Sequence, residues 1–100
     1  MPSIVRSITM NSRLKAIIYG VVQGVGFRYF VLGQALKAAI SGFVRNLPDG
    51  TVEIEAEGAE DDLDQFIEAI KSGPPGAVVK EVEIERKRYT GEYRGFNIKR

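Results

Sequence analysis

The chain has neither cysteine nor histidine, and its charge has no dominant sign. Without cysteine there is no disulfide, no thiol nucleophile and no thiolate ligand. Without histidine there is no Ser–His triad, no imidazole base and no His-bearing metal site. Any chemistry must come from Arg, Lys, carboxylates, amides, hydroxyls or the backbone, and neither metal nor cofactor is expected. The 14 Lys and Arg against 13 Asp and Glu leave a net charge of +1, so no overall field draws the chain to nucleic acid or to a membrane surface. No apolar run approaches the ~20 residues of a membrane helix. The opening Met1-Pro2-Ser3-Ile4-Val5-Arg6 lacks the continuous apolar stretch and small-residue cleavage site of a secretory signal. The expected location is the cytoplasm, and nothing demands more than a monomer.

At 100 residues with 44% hydrophobic content, the sequence suits one domain with one core. Residues 1–12 show no sustained period and read as a flexible N-terminal tail, leaving 13–100 as the domain. From Arg13, the residues Leu14, Ala16 and Ile18 alternate with Arg13, Lys15 and Ile17, a strand pattern that runs on through Val22. Phe27, Phe30, Val31, Ala35, Ala38 and Ala39 then recur near the helical period. Gly42–Leu47 and Thr51–Glu57 read as strands around the Pro48-Asp49-Gly50 turn, with Gly58 ending the second. Leu63, Phe66, Ile67 and Ile70 mark a second helix, with Asp61, Asp62 and Asp64 as charges at its start. Gly73-Pro74-Pro75-Gly76 stops that helix. A strand over 78–88 follows, with a short fifth possible at Phe96-Asn97-Ile98. The order β-α-β-β-α-β with two helices gives an α+β, ferredoxin-like sandwich: a mixed sheet with both helices on one face. In that topology the turn after the first strand and the end of the second lie at one sheet edge.

At that edge stands Gln23-Gly24-Val25-Gly26-Phe27-Arg28. Glycines let a loop curl, the helix start offers unpaired N–H groups, and Arg28 adds a fork-shaped positive charge. Two readings stay open on local grounds. One is an anion cradle; the other is a tight βα turn beside a solvated arginine. Nucleotide motifs do not apply, because Tyr29 stands where a dinucleotide fingerprint needs its third glycine and no Gly-Lys-Ser/Thr occurs. Asn46 could equally start the hairpin, Arg45 could be a solvated strand residue, and Phe27 and Phe30 suit a core. Arg86, Lys87, Arg88, Arg94, Lys99 and Arg100 read as a basic edge that offsets the acidic strand and helix.

Residues 20–28, Gly-Val-Val-Gln-Gly-Val-Gly-Phe-Arg, resemble the signature of the acylphosphatase family, G-x-V-Q-G-V-x-F-R. Residues 42–53 resemble its second motif, with Asn46 as the motif's asparagine and Asp49-Gly50-Thr51-Val52-Glu53 after it. Gly58 and Gly73-Pro74-Pro75 give a weaker third echo, so the resemblance covers about residues 13–98. It implies that Arg28 binds the phosphoryl group, that Asn46 holds the attacking water, and that the backbone of Gln23, Gly24, Val25, Gly26 and Phe27 wraps the phosphoryl oxygens. The implied substrate is a small acyl phosphate and the product is inorganic phosphate. Such a substrate makes sense of the missing histidine. Its leaving group is a carboxylate of pKa near ~4, which departs without a general acid. Where this chain has Ala38-Ala39 at the end of the first helix, many relatives have Leu-Gly, and a left-handed Ala39 would cost about 1 kcal/mol.

Two other functions share part of this pattern. A phosphate-binding module without turnover would keep the cradle, but retention of both Arg28 and Asn46 favours an enzyme. RNA-recognition domains share the element order, but they need stacking aromatics where Glu53, Glu55 and Glu57 stand, and that acidic row repels a phosphate backbone.

Overall fold

Alternating apolar residues dictate the architecture, and the computed structural model describes it for residues 10–100. The elements are β1 (Asn11–Val21), α1 (Phe27–Lys37), β2 (Ser41–Asn46), β3 (Val52–Ala59), α2 (Glu60–Ser72), β4 (Val78–Lys87) and β5 (Phe96–Lys99). They build one sheet in the order β4-β1-β3-β2-β5. Every neighbouring pair is antiparallel except β2 and β5, which run parallel. This is the expected ferredoxin-like α+β sandwich, with the fifth strand formed.

One face of the sheet carries Leu14, Ala16 and Ile18 of β1, Val52, Ile54 and Ala56 of β3, and Val44 of β2, all fully buried. Against them pack Phe27, Val31 and Ala35 of α1 and Leu63, Phe66, Ile67 and Ile70 of α2. Each such Leu, Ile or Phe contributes roughly 1.5–3 kcal/mol by leaving water. The α2 pattern was plain because its other face is acidic and polar. In α1 the exposed face keeps Tyr29 and Leu36, which blurs the contrast.

The opposite face holds a layer of charge. Glu53, Glu55 and Glu57 of β3 are buried, not solvated. Glu53 pairs with Lys15 and Arg45, Glu55 with Arg13 and Lys87, and Glu57 with Arg13. Arg45 is therefore an ion-pair partner on this face as well as partly solvated. The segment 88–95 joins β4 and β5, which are opposite sheet edges, and crosses this face to do so. Thr90 and Gly91 donate to the Glu57 carboxylate on the way. On the helix side, Arg86 reaches Asp64 at 3.0 Å, so part of the basic edge does offset the acidic helix.

Two boundaries differ from the sequence reading for one reason. β1 begins at Asn11, and β3 continues through Gly58 to Ala59. Asn11 pairs with Ala59 and Ser12 with Gly58, so each strand supplies the ladder partners that extend the other. Of the expected N-terminal tail, residues 1–9 lie outside the described residues, whereas Asn11 and Ser12 belong to the sheet. Helix α1 stops at Lys37, before Ala38 and Ala39.

Candidate active site

The turn from β1 into α1 needs backbone that most residues resist. Gly24 and Gly26 both sit at φ +74°, in the left-handed region open to glycine. A β-carbon at either would meet no atom within 4 Å, so conformation and not crowding requires glycine there. Gly26 caps α1, and Phe30 N–H already reaches back to the Gly26 carbonyl at 3.0 Å. Among the described residues, no backbone N–H from Gln23 to Tyr29 donates a hydrogen bond within the protein. A helix start always leaves such donors, and here the glycine loop adds more beside them.

Gly24, Gly26, Phe27, Arg28 and Tyr29 of this stretch border a cavity of about 130 Å³ that Val22 and Asn46 also line. The topology brings Asn46 there as expected. β1 and β2 flank β3 and run the same way, so the end of β2 meets the loop after β1. The side-chain oxygen of Asn46 is buried and has no hydrogen-bond partner among the described residues. A buried unpaired carbonyl is costly, by about 1–3 kcal/mol. Phe27 serves twice: it is buried in the core and its edge lines the cavity, whereas Phe30 only packs against the core.

The sequence reading brought Gly24, Gly26, Phe27, Arg28 and Asn46 to this place. Gln23 and Val25 belong to the same loop but do not line the cavity. It missed Val22, which as the last apolar residue before the loop gave no signal beyond strand, and Tyr29, which is 71% exposed at the cavity. It also missed the Gln23 side chain. The Gln23 amide nitrogen donates to Leu47 O and to Thr51 O, at 2.8 Å each. The hairpin turn after Asn46 is itself well ordered: Asp49 Oδ1 accepts from the Thr51 N–H at 3.0 Å and from the Thr51 hydroxyl at 2.6 Å.

Uncommitted N–H groups near a small cavity with an arginine at its wall are chemically suited to an oxyanion, and here they stand on a ferredoxin-like sheet. The model of the acylphosphatase family matches residues 14–98, and the chain belongs to that family. It is 49% identical to an acylphosphatase of Bacillus licheniformis over 84% of this chain and 93% of that one. It is 44% identical to an acylphosphatase of Caldivirga maquilingensis over 87% and 93% of the two chains. The crystal structure of acylphosphatase from Bacillus subtilis superposes with a TM-score of 0.87 at 42% identity, covering 91% of this chain and all of that one. The chain is accordingly an enzyme, and its reaction is the hydrolysis of acyl phosphates. No helix among the described residues is long and apolar enough to cross a membrane.

Proposed function

We propose that the cavity holds the transferring phosphoryl group of a small acyl phosphate, with Arg28 and the 23–27 backbone N–H groups on its non-bridging oxygens. Asn46 orients the attacking water in line with the departing carboxylate. The observation that carries this reading is that Asn46 shares the wall of one small cavity with Arg28 and the glycine loop. The Asn46 carboxamide, at that wall, can hold a water that turns a lone pair toward phosphorus. A cavity of about 130 Å³ is small beside the roughly 300–1,000 Å³ of pockets that enclose whole ligands, so the acyl part remains outside.

Little covalent chemistry is asked of the protein. Phosphoryl transfer depends on position and on stabilising charge at the equatorial oxygens, which a fixed guanidinium and preorganised N–H groups supply. A carboxamide cannot take a full proton at neutral pH, so the water's proton passes to an oxygen of the substrate phosphate. The O–P bond to the carboxylate breaks as the water O–P bond forms, giving carboxylate and inorganic phosphate. Hydrolysis of benzoyl phosphate, followed by ultraviolet absorbance with EDTA present, tests the assignment. The wild type should turn over, and Arg28→Ala and Asn46→Ala should each lose at least ~100-fold in kcat, the scale of a lost oxyanion contact. Arg28→Ala should also weaken inhibition by phosphate. Wild-type turnover by either variant would sink the role given to that residue.

A further inference from the structure

We infer that the side chain of Gln23 is a positioning residue that fixes the distance between the phosphate loop and Asn46. The inference rests on the reading of Asn46 given above. One NH2 group spans both arms of the β2–β3 turn, donating to Leu47 O and to Thr51 O at 2.8 Å each. Leu47 directly follows Asn46, the last residue of β2.

The turn does not need these bonds to satisfy its own backbone. Leu47 O already accepts from Gly50 N–H at 3.1 Å, and Thr51 O from Leu47 N–H at 2.9 Å. The extra pair therefore ties one segment to the other. The loop on one side of the cavity and the asparagine on the other come from separate elements, α1's approach and β2's end. The Gln23 amide is the side-chain hydrogen-bond link between them among the described residues. The link needs a donor of this reach. A carboxylate at 23 would face two carbonyl oxygens, and an asparagine would fall one methylene short. Misplacing an attacking water by about 1 Å can cost ~100-fold in rate, so a link of this kind acts on kcat.

The test uses Gln23→Met, which keeps the length and loses both donors, and Gln23→Glu, which keeps the shape and reverses the polarity. Because the turn keeps its own hydrogen bonds, both should fold. Each should lower kcat on benzoyl phosphate about tenfold, while the inhibition constant of inorganic phosphate changes less than twofold. A ligand that needs only the cradle is thereby separated from a reaction that needs the water. In an Asn46→Ala background Gln23→Met should change the residual rate less than twofold. Where that background is too slow to measure, the split between kcat and phosphate inhibition decides alone. Unchanged kcat, or phosphate inhibition weakened as much as kcat falls, would overturn the inference while leaving Asn46 and Arg28 in their roles. Full turnover by Asn46→Ala would overturn it together with the reading on which it rests.

Discussion

Gly42 of β2 approaches Glu55 of β3 so closely that a β-carbon on Gly42 would lie 1.9 Å from the Glu55 carbonyl oxygen. The φ of +141° that permits this approach is itself one that other residues avoid. Gly42→Ala must part the two strands or bend β2, and either displaces Val44 from the core. The expected cost is at least about 3 kcal/mol, combining backbone strain with the overlap. For a domain of this size that lowers Tm by at least about 12 °C. Differential scanning calorimetry reads it directly, and a drop of only a few degrees would mean that the strands slide past each other at little cost.

Ala39 is the complementary case, a place where glycine is missing. It lies at φ +53°, the only positive φ outside glycine among the described residues. The Ile40 N–H reaches the Ala35 carbonyl at 3.0 Å across it, the bond of a Schellman cap that needs a left-handed residue at this position. Ala39→Gly should therefore raise stability by about 1 kcal/mol, and Tm by about 4–8 °C. Ala38→Gly is the control. Ala38 has φ −108°, so glycine there relieves nothing and only adds freedom to the unfolded chain. An equal gain in both variants would remove the cap as the cause.

These two sites show what was legible in the sequence. The helices and strands followed from Leu14, Ala16 and Ile18 or Leu63, Phe66, Ile67 and Ile70, because burial on one face imposes a period. The loop and Asn46 were legible through a signature and through topology, which places strand ends before any coordinate is known. What stayed hidden depends on the meeting of distant segments. Nothing local at Gly58 shows that Asn11 and Ser12 will pair there and prolong β3. Nothing in the alternation of Glu53, Glu55 and Glu57 shows that the strap from 88 to 95 will close over them. An outward-facing row becomes a buried one once the chain crosses back over it to form β5. The Gln23 side chain was hidden for the same reason, since its partners stand 24 and 28 residues away.

The turn that Gln23 bridges also contains a titrating group, Asp49. The Thr51 hydroxyl, and then the Thr51 N–H, hold the Asp49 carboxyl below its ordinary value of 3.8. A carboxyl whose folded pKa lies below the unfolded one stabilises the folded state above the unfolded pKa. That contribution is lost as pH falls through the folded pKa. The Thr51 amide resonance and its exchange protection should be constant from neutral pH down to about 4 and should change below that. Asp49→Asn keeps an oxygen for Thr51 but cannot titrate, so its Thr51 amide should show no such acid step. The same step in the variant would assign it to another group.

Glu57 separates stability from activity. Its side chain is fully buried, and its two oxygens accept from Thr90 N–H at 2.7 Å, the Thr90 hydroxyl at 2.8 Å and Gly91 N–H at 3.0 Å, with Arg13 at 3.7 Å. Glu57→Gln replaces one accepting oxygen with an NH2 group that faces other donors. It also leaves Arg13 with one carboxylate fewer. Breaking one member of a buried charged set typically costs about 3–5 kcal/mol, and Arg13 keeps Glu55 and Glu92, so about 3 kcal/mol is expected here. Urea denaturation should show it as a lower midpoint with an unchanged slope. Turnover should not follow. Asn46 pairs with Val52, and Glu57 lies five residues further along β3, or ~16 Å at the rise of a strand. The folded variant should hydrolyse benzoyl phosphate within about twofold of the wild type. A loss below about 1 kcal/mol would show that these ion pairs behave as surface pairs do, with water reaching them past the strap. A large loss of kcat at full folding would show instead that the strap, through β5 and β2, sets the position of Asn46.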